Sequence, residues 1–155
     1  MTALAESGRA VVTRTMSKAF GLAGLRIGYG IASPDIVLAI EKARGPYKVN
    51  VVAEAAAIAA LTKDLAWVRA RIADVLENRE RFCLALRDLG YEPIVSDANF
   101  VLLPVADCGR ESDLLKKAGI AVRGFPALAG IGDALRITIG PWEMMQECLA
   151  ALGGR

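Results

Sequence analysis

The chain has 155 residues, 54% of them hydrophobic and 23% charged, which is too apolar for a disordered segment and long enough for one domain or two small ones with a buried core. Nineteen basic against seventeen acidic residues leave a net charge of +2. The charges are interspersed, so no electrostatic footprint for nucleic acid is present and none is expected as a partner. The longest uncharged runs, Ala98–Ala106 and Gly124–Gly132, have nine residues each, well short of the ~18 apolar residues of a membrane span, so no membrane is expected as a partner either.

Met1–Arg14 carries Glu6, Arg9 and Arg14 without a basic leader, an apolar stretch or a small-residue cleavage site, and a cytoplasmic protein is expected. The three cysteines, Cys83, Cys108 and Cys148, are widely spaced and contain no C-x-x-C pair. They read as small buried thiols rather than as a disulfide framework or a zinc site. Histidine is absent, which excludes Ser-His-Asp and Cys-His nucleophile systems and histidine metal sites. No metal is expected. Chemistry must rest on Lys, Arg, Asp, Glu, Tyr, Ser or a cofactor.

In chain order, Ala10–Arg14 and the glycine-interleaved Arg26–Ala32 read as strands on either side of a polar, small-residue loop. Ser33-Pro34-Asp35 is a helix start, and Gly45-Pro46 ends that helix after Arg44. Asn50 caps a second, alanine-rich helix through Leu61, suited to close packing. From Asp64 the residues Leu65, Val68, Ile72, Val75, Phe82, Leu86 and Leu89 recur at helical spacing until Gly90, a left-handed C-cap. Such a helix is roughly 39 Å long and suited to bridging two units.

Strands then follow at Glu92–Val95 and Phe100–Pro104, a helix at Glu111–Ala118 closed by Gly119, strands at Ile120–Arg123 and Leu135–Ile139, and a helix over Pro141–Leu152. The fold class is α/β, with an α+β unit of about sixty residues at the end. Two strands and one helix make a poor free-standing unit, so the first sheet is expected to be incomplete. Tyr29, Trp67 and Trp142 read as packing aromatics.

Thr15-Met16-Ser17-Lys18 follows the first strand and leads into Ala19–Arg26. A lysine among hydroxyls and small residues at a strand end can be desolvated enough to form a Schiff base with a carbonyl cofactor. Thr15, Ser17 and Arg26 can then hold a phosphate, Arg26 through a forked, charge-assisted pair of hydrogen bonds. On residue type alone, a loop lysine such as Lys18 is in the great majority of cases a solvated surface charge, Arg123 and Arg136 are mostly ordinary ion-pair residues, and Gly21, Gly24, Gly28 and Gly30 serve tight turns and close strand packing as readily as a cofactor.

The string TMSKAFGLAGLRIGYG, with eight residues from lysine to arginine, resembles the lysine segment of fold-type I aminotransferases that use pyridoxal 5′-phosphate. Within that superfamily PYKVN at Pro46–Asn50, SDANFVLL at Ser96–Leu103, and AVRG and ALRITIG with Arg123 and Arg136 thirteen apart are most similar to histidinol-phosphate aminotransferases. The resemblance implies that residues 1–45 are the end of the large cofactor-binding domain, 46–90 are linker helices including a long interdomain helix, and 91–155 are a small α+β C-terminal domain.

It also implies residue roles. Lys18 would carry the cofactor and shuttle a proton between the substrate α-carbon and the cofactor C4′ carbon. Thr15, Ser17 and Arg26 would bind the cofactor phosphate. Arg136 would receive the substrate α-carboxylate, Arg123 the substrate phosphate, and Asn99 and Phe100 would stand at the mouth of the site.

The implied reaction exchanges an amino group between glutamate and a phosphorylated keto acid in histidine biosynthesis. An aromatic-amino-acid aminotransferase and a decarboxylase of phosphorylated amino acids are alternatives on the same fold, as is a non-catalytic piece that self-associates or complements an N-terminal half. A homo-oligomer is expected. Family members are roughly twice this length. The glycine-rich phosphate turn, the ring-stacking aromatic, the asparagine near the ring hydroxyl and the aspartate that pairs with the pyridinium nitrogen match nothing in this chain, so the isolated chain is expected to lack full activity.

Overall fold

The computed structural model describes residues 3, 5, 7–46 and 48–154. Met1, Thr2, Leu4, Glu6, Arg155 and the Tyr47 of the PYKVN segment lie outside them. The chain divides into two units, Met1–Arg71 and Ile72–Arg155, and no helix among the described residues is long and apolar enough to cross a membrane.

In the first unit β1 (Val12–Thr15) pairs antiparallel with β2 (Gly28–Ile31), from Val12 opposite Ile31 to Thr15 opposite Gly28. Both strands are largely exposed, with Tyr29 at 43% and Ile31 at 42%. A Cβ at Gly28 would stand 2.6 Å from the Arg14 carbonyl oxygen, so only glycine permits this approach of the two backbones.

Helix α1 (Pro34–Ala43) starts as its chemistry dictates, with Ser33 extended, Pro34 in the first turn and Asp35 favouring the positive end of the helix dipole. Helix α2 (Val51–Thr62) is capped by Asn50, whose Oδ1 accepts the Ala53 N–H at 2.8 Å. Its small residues Ala57 and Ala60 form a buried cluster with Met16, surrounded by Phe20, Leu22 and Ile27. The alanines thus serve close packing as expected, and what they receive is the segment just past β1.

Helix α3 (Leu65–Asp88) runs for 24 residues, and the division between the units falls inside it. It ends at Gly90, φ +83°, where the Gly90 N–H reaches Arg87 O and the Tyr91 N–H reaches Leu86 O, a Schellman closure. In the second unit β3 (Phe100–Pro104), β5 (Gly132–Thr138) and β4 (Arg123–Leu128) form an antiparallel sheet in the order β3-β5-β4. The inward positions Val101, Leu103, Leu135 and Ile137 are buried with Phe82 and Leu86 of α3, Leu115 of α4 (Cys108–Lys117), and Met145, Cys148 and Leu152 of α5 (Trp142–Gly153). The two-residue alternation leaves Phe100, Leu102, Arg136 and Arg123 on the opposite face.

The strands expected at Ala10–Arg14, Arg26–Ala32 and Leu135–Ile139 run over Val12–Thr15, Gly28–Ile31 and Gly132–Thr138, and three further elements differ from expectation for a local reason. Glu92–Val95 is not a strand: Pro93 has no N–H to donate, and only an isolated bridge forms, Ile94 to Leu102. Helix α4 starts at Cys108 rather than Glu111, because the Asp107 side chain caps it by accepting the Arg110 N–H at 2.9 Å. The strand expected at Ile120–Arg123 begins only at Arg123, since the Ile120 N–H is engaged by Leu115 O in closing α4 at 2.9 Å. Trp142 packs on the second core, whereas Trp67 is 59% exposed. All three cysteines are free thiols, Cys108 and Cys148 buried and Cys83 half-buried.

Candidate active site

The first unit places the lysine loop. Beyond β1 the Met16 N–H continues the pairing to Ile27 O at 3.3 Å, and the Met16 side chain is buried against α2. With Met16 turned inward, its neighbours Thr15 and Ser17 fall on the other side of the chain. Thr15 Oγ1 accepts the Ser17 N–H at 3.1 Å and donates to Ser17 Oγ at 2.9 Å. This short turn fixes both hydroxyls and leaves the Ser17 O–H as a donor.

Lys18 comes next and is exposed. Its carbonyl accepts the Gly21 N–H at 2.9 Å, in a turn that Gly21 completes at φ +68°, and the Leu22 N–H returns to Met16 O at 3.0 Å. The desolvation that a nucleophilic amine needs is not supplied by the described residues of this unit.

The loop leaves through a 3-10 turn, Ala23–Leu25, into Arg26, which has φ 54° and ψ 42°. A left-handed conformation costs a non-glycine residue about 1–2 kcal/mol. Such strain is commonly kept where a side chain is needed. Arg26 Nη1 donates to Ala23 O at 3.0 Å, leaving further N–H groups of the fork. Because Thr15 pairs with Gly28 and Met16 with Ile27, the two hydroxyls and Arg26 stand at one end of the same two strands. An exposed lysine, two oriented hydroxyls and a guanidinium on one loop suit a phosphate-bearing carbonyl cofactor.

The second unit holds the other candidates. Arg123 on β4 is the direct register partner of Arg136 on β5, so both project from one face of the sheet. The Arg136 guanidinium lies 5.1 Å from the Phe100 ring and that of Arg123 5.0 Å from the Phe125 ring. Among the described residues no carboxylate pairs with either arginine, and Arg136 Nε is buried without a hydrogen-bond partner. Like charges directly opposite each other oppose folding, and a buried N–H donor left unmatched costs more still. The arrangement leaves positive charge unneutralised on one face of the sheet, which suits an anionic group. Asn99 is exposed, and its carbonyl accepts the Ile139 N–H at 3.0 Å, just outside the β3–β5 pairing.

Thr15, Ser17, Lys18 and Arg26 are therefore gathered in the first unit, and Arg123, Arg136 and Asn99 in the second. Three residues were missed by the sequence reading. Asn78 and Arg79 of α3 occupy the gap between Val75 and Phe82 in the apolar stripe, where Asn78 Nδ2 donates to Gly140 O and Arg79 Nη1 to Ala98 O, partners that the residue pattern does not reveal. Asp133, an acid at the start of an apolar strand, accepts the Cys108 N–H at 2.9 Å and the Ala127 N–H at 3.0 Å.

The family described as aminotransferase class I and II matches residues 2–152. The histidinol-phosphate aminotransferase of Geobacter sulfurreducens is 41% identical over 146 residues, covering 92% of this chain and 41% of that protein. An aromatic amino acid aminotransferase of Rhodococcus opacus is 44% identical over 141 residues, covering 90% and 38%. Among solved structures, the Sinorhizobium meliloti histidinol-phosphate aminotransferase in complex with pyridoxal-5′-phosphate superposes with a TM-score of 0.79 at 30% identity, over 95% of this chain and 41% of that one. The chain thus spans about two-fifths of the length of these relatives. The lysine loop, the long helix and the small α+β unit with its arginine pair all fall within the matched region, and the chain belongs to the class I and II aminotransferases.

Proposed function

We propose that this chain supplies the lysine loop and the substrate arginines of a pyridoxal-phosphate-dependent aminotransferase acting on histidinol phosphate and its keto counterpart, imidazole-acetol phosphate, with glutamate and 2-oxoglutarate as the second pair. The observation that carries the reading is the Arg123–Arg136 pair. Two cations side by side, uncompensated by carboxylates among the described residues, suit the anionic groups that the two half-reactions bring in turn: the carboxylates of glutamate, its α-carboxylate on Arg136, and the phosphate of histidinol phosphate, the one anionic group of that substrate, on Arg123. In this reading residues 1–45 close the large domain, 46–90 connect, and 91–155 form the small domain.

Thr15, Ser17 and Arg26 would hold the cofactor phosphate, the hydroxyls through the turn that orients them and Arg26 through its fork. When bound, pyridoxal phosphate supplies the electron sink for chemistry at the substrate α-carbon. Lys18 Nζ would hold the cofactor and would act as the general base that takes and returns the α-proton. In the half-reaction with glutamate, Arg136 would hold the α-carboxylate through its fork. Apolar residues left exposed on α2, Val51 at 78%, Val52 at 64% and Ile58 at 56%, support assembly as a homo-oligomer.

A second reading, an aromatic-amino-acid aminotransferase, is favoured by Phe100 and Phe125 beside the two arginines and by the Rhodococcus opacus relative. Titration of the chain with pyridoxal phosphate, borohydride trapping and peptide mapping test the cofactor. A saturable visible band that disappears in Lys18→Ala and a trapped adduct on Lys18 are expected, and indiscriminate labelling of lysines would overturn the assignment. Calorimetric titration with histidinol phosphate and with phenylalanine then separates the substrates. Binding of the first and not the second is expected, and the reverse would establish the aromatic reading.

A further inference from the structure

One turn of α3 grips the backbone just before β3 and just after β5, the strand that carries Arg136. Asn78 is 9% exposed, and its Nδ2 donates to Gly140 O at 3.1 Å, across 62 residues of chain. The next residue, Arg79, donates Nη1 to Ala98 O at 3.0 Å. Between these two anchor points lies the Ile139 N–H to Asn99 O bond of 3.0 Å. Ala98-Asn99-Phe100 and Thr138-Ile139-Gly140 are therefore tied to each other and, at both ends of that tie, to adjacent residues of one helix.

Phe100 is the register partner of Thr138, and its ring is the surface against which the Arg136 guanidinium lies. Just past Gly140, Arg81 covers the Trp142 ring at 3.8 Å, extending the same helix face along the following segment.

Packing alone does not require this chemistry. An apolar residue at position 78 would continue the stripe of Val75, Phe82 and Leu86 and bury more hydrocarbon. A buried amide is costly unless its hydrogen bonds are made, and this one donates to the Gly140 carbonyl, just past the end of β5.

We propose that Asn78 and Arg79 are positioning residues for Arg136: by holding Gly140 and Ala98 they set the Phe100 ring, and with it the direction in which the Arg136 guanidinium is offered to a carboxylate. This rests on the reading of Arg136 as a carboxylate receptor, and the test is arranged so that the two can fail separately.

The intact chain is titrated with glutarate, a plain dicarboxylate, while the arginine Nε–H resonances are followed by nuclear magnetic resonance and the unfolding midpoint is measured in parallel. Asn78→Leu and Arg79→Met are each expected to weaken glutarate binding by about fivefold, the factor of one net hydrogen bond, and to move the Arg136 Nε–H resonance. Asn78→Leu, which continues the apolar stripe, is expected to keep the parent's unfolding midpoint, which a merely structural role for the amide would lower. Arg79→Lys, which keeps a donor, is expected to stay within about twofold of the parent.

If both variants bind glutarate as the parent does and leave the resonance in place, the positioning role is overturned while the Arg136 reading stands. If Arg136→Met also binds as the parent does, or the parent does not bind, the reading of Arg136 as a carboxylate receptor falls and the proposal with it. Arg79 is only half-buried, so Arg79→Met decides the matter even if Asn78→Leu fails to fold.

Discussion

Asp133 and Cys108, twenty-five residues apart, are joined by a hydrogen bond from the Cys108 N–H to Asp133 Oδ2 at 2.9 Å, while Oδ1 of the same carboxylate takes the Ala127 N–H at 3.0 Å. One side chain therefore closes the start of α4 and stabilises the irregularity of β4, where Ala127 has φ 50° and the register shifts between Phe125 and Leu128. The Ala127 N–H, then the Cys108 N–H and thiol, hold the Asp133 carboxyl below its usual range. A group with a depressed folded value contributes stability that is fully present above its unfolded value, about 3.9, and is lost as the pH falls through the folded one. The urea midpoint is expected to drop below pH 4 in the parent and to change less there in Asp133→Asn, which starts lower at pH 7. Parallel pH profiles for the two proteins would remove Asp133 from this role.

The first unit turns on Gly28. A Cβ there would meet the Arg14 carbonyl oxygen at 2.6 Å, a backbone atom that no rotamer change can move. Gly28→Ala is expected to cost roughly 1–3 kcal/mol, the range for overpacking, and to reduce cofactor labelling at Lys18, because the pairing that sets Thr15 and Met16 shifts with it. Gly24 faces open space, with no positive φ, and Gly24→Ala is expected to be tolerated or slightly stabilising. Urea unfolding of the two variants separates them. Equal effects would show that the β1–β2 approach does not limit the loop.

What was legible in the residues was mostly local chemistry. Asn50 caps α2, and Gly90 and Gly119 close α3 and α4 with positive φ, because each motif is decided within one or two turns of chain. The long apolar stripe announced α3 for the same reason. The β4 strand was not legible: Pro126 lies inside it, and its register with β5 carries the shift that Asp133 stabilises from further along the chain. The thirteen-residue spacing of Arg123 and Arg136 was visible, but their standing directly opposite one another follows from that register. Asn78 was passed over because a polar residue within an apolar stripe reads as a gap until its distant acceptor, Gly140, is known.

The three thiols should differ in reactivity. Burial pushes the Cys148 thiol up to about 11, and Cys108 is raised by burial and by its hydrogen bond to Asp133. Cys83 is also raised by burial, but Arg87 and Arg79 oppose the shift and the residue is only half-buried. The thiolate is the reacting form, so iodoacetamide at pH 8 is expected to modify Cys83 first and to reach Cys108 and Cys148 only as the chain unfolds. Peptide mass spectrometry along a urea series gives the order. Early modification of Cys148 in the folded protein would contradict the closed packing of α5 on the sheet.

Arg26 permits a separation of stability from binding. Arg26→Ala and Arg26→Gly remove the same guanidinium, yet the residue sits at φ 54°, ψ 42°, where glycine is unstrained and alanine is not. After allowing for glycine's greater unfolded-state entropy, Arg26→Gly is expected to be the more stable of the two by about 1 kcal/mol, read from urea unfolding. Both should bind pyridoxal phosphate at least about tenfold more weakly than the parent, the effect of losing a charge-assisted hydrogen bond. Such a result would mean that the chain accepts a strained turn to keep a cation beside the Thr15 and Ser17 hydroxyls. Undiminished affinity in Arg26→Gly would take Arg26 out of the phosphate cradle, and equal stabilities would show that the left-handed turn is not held in solution.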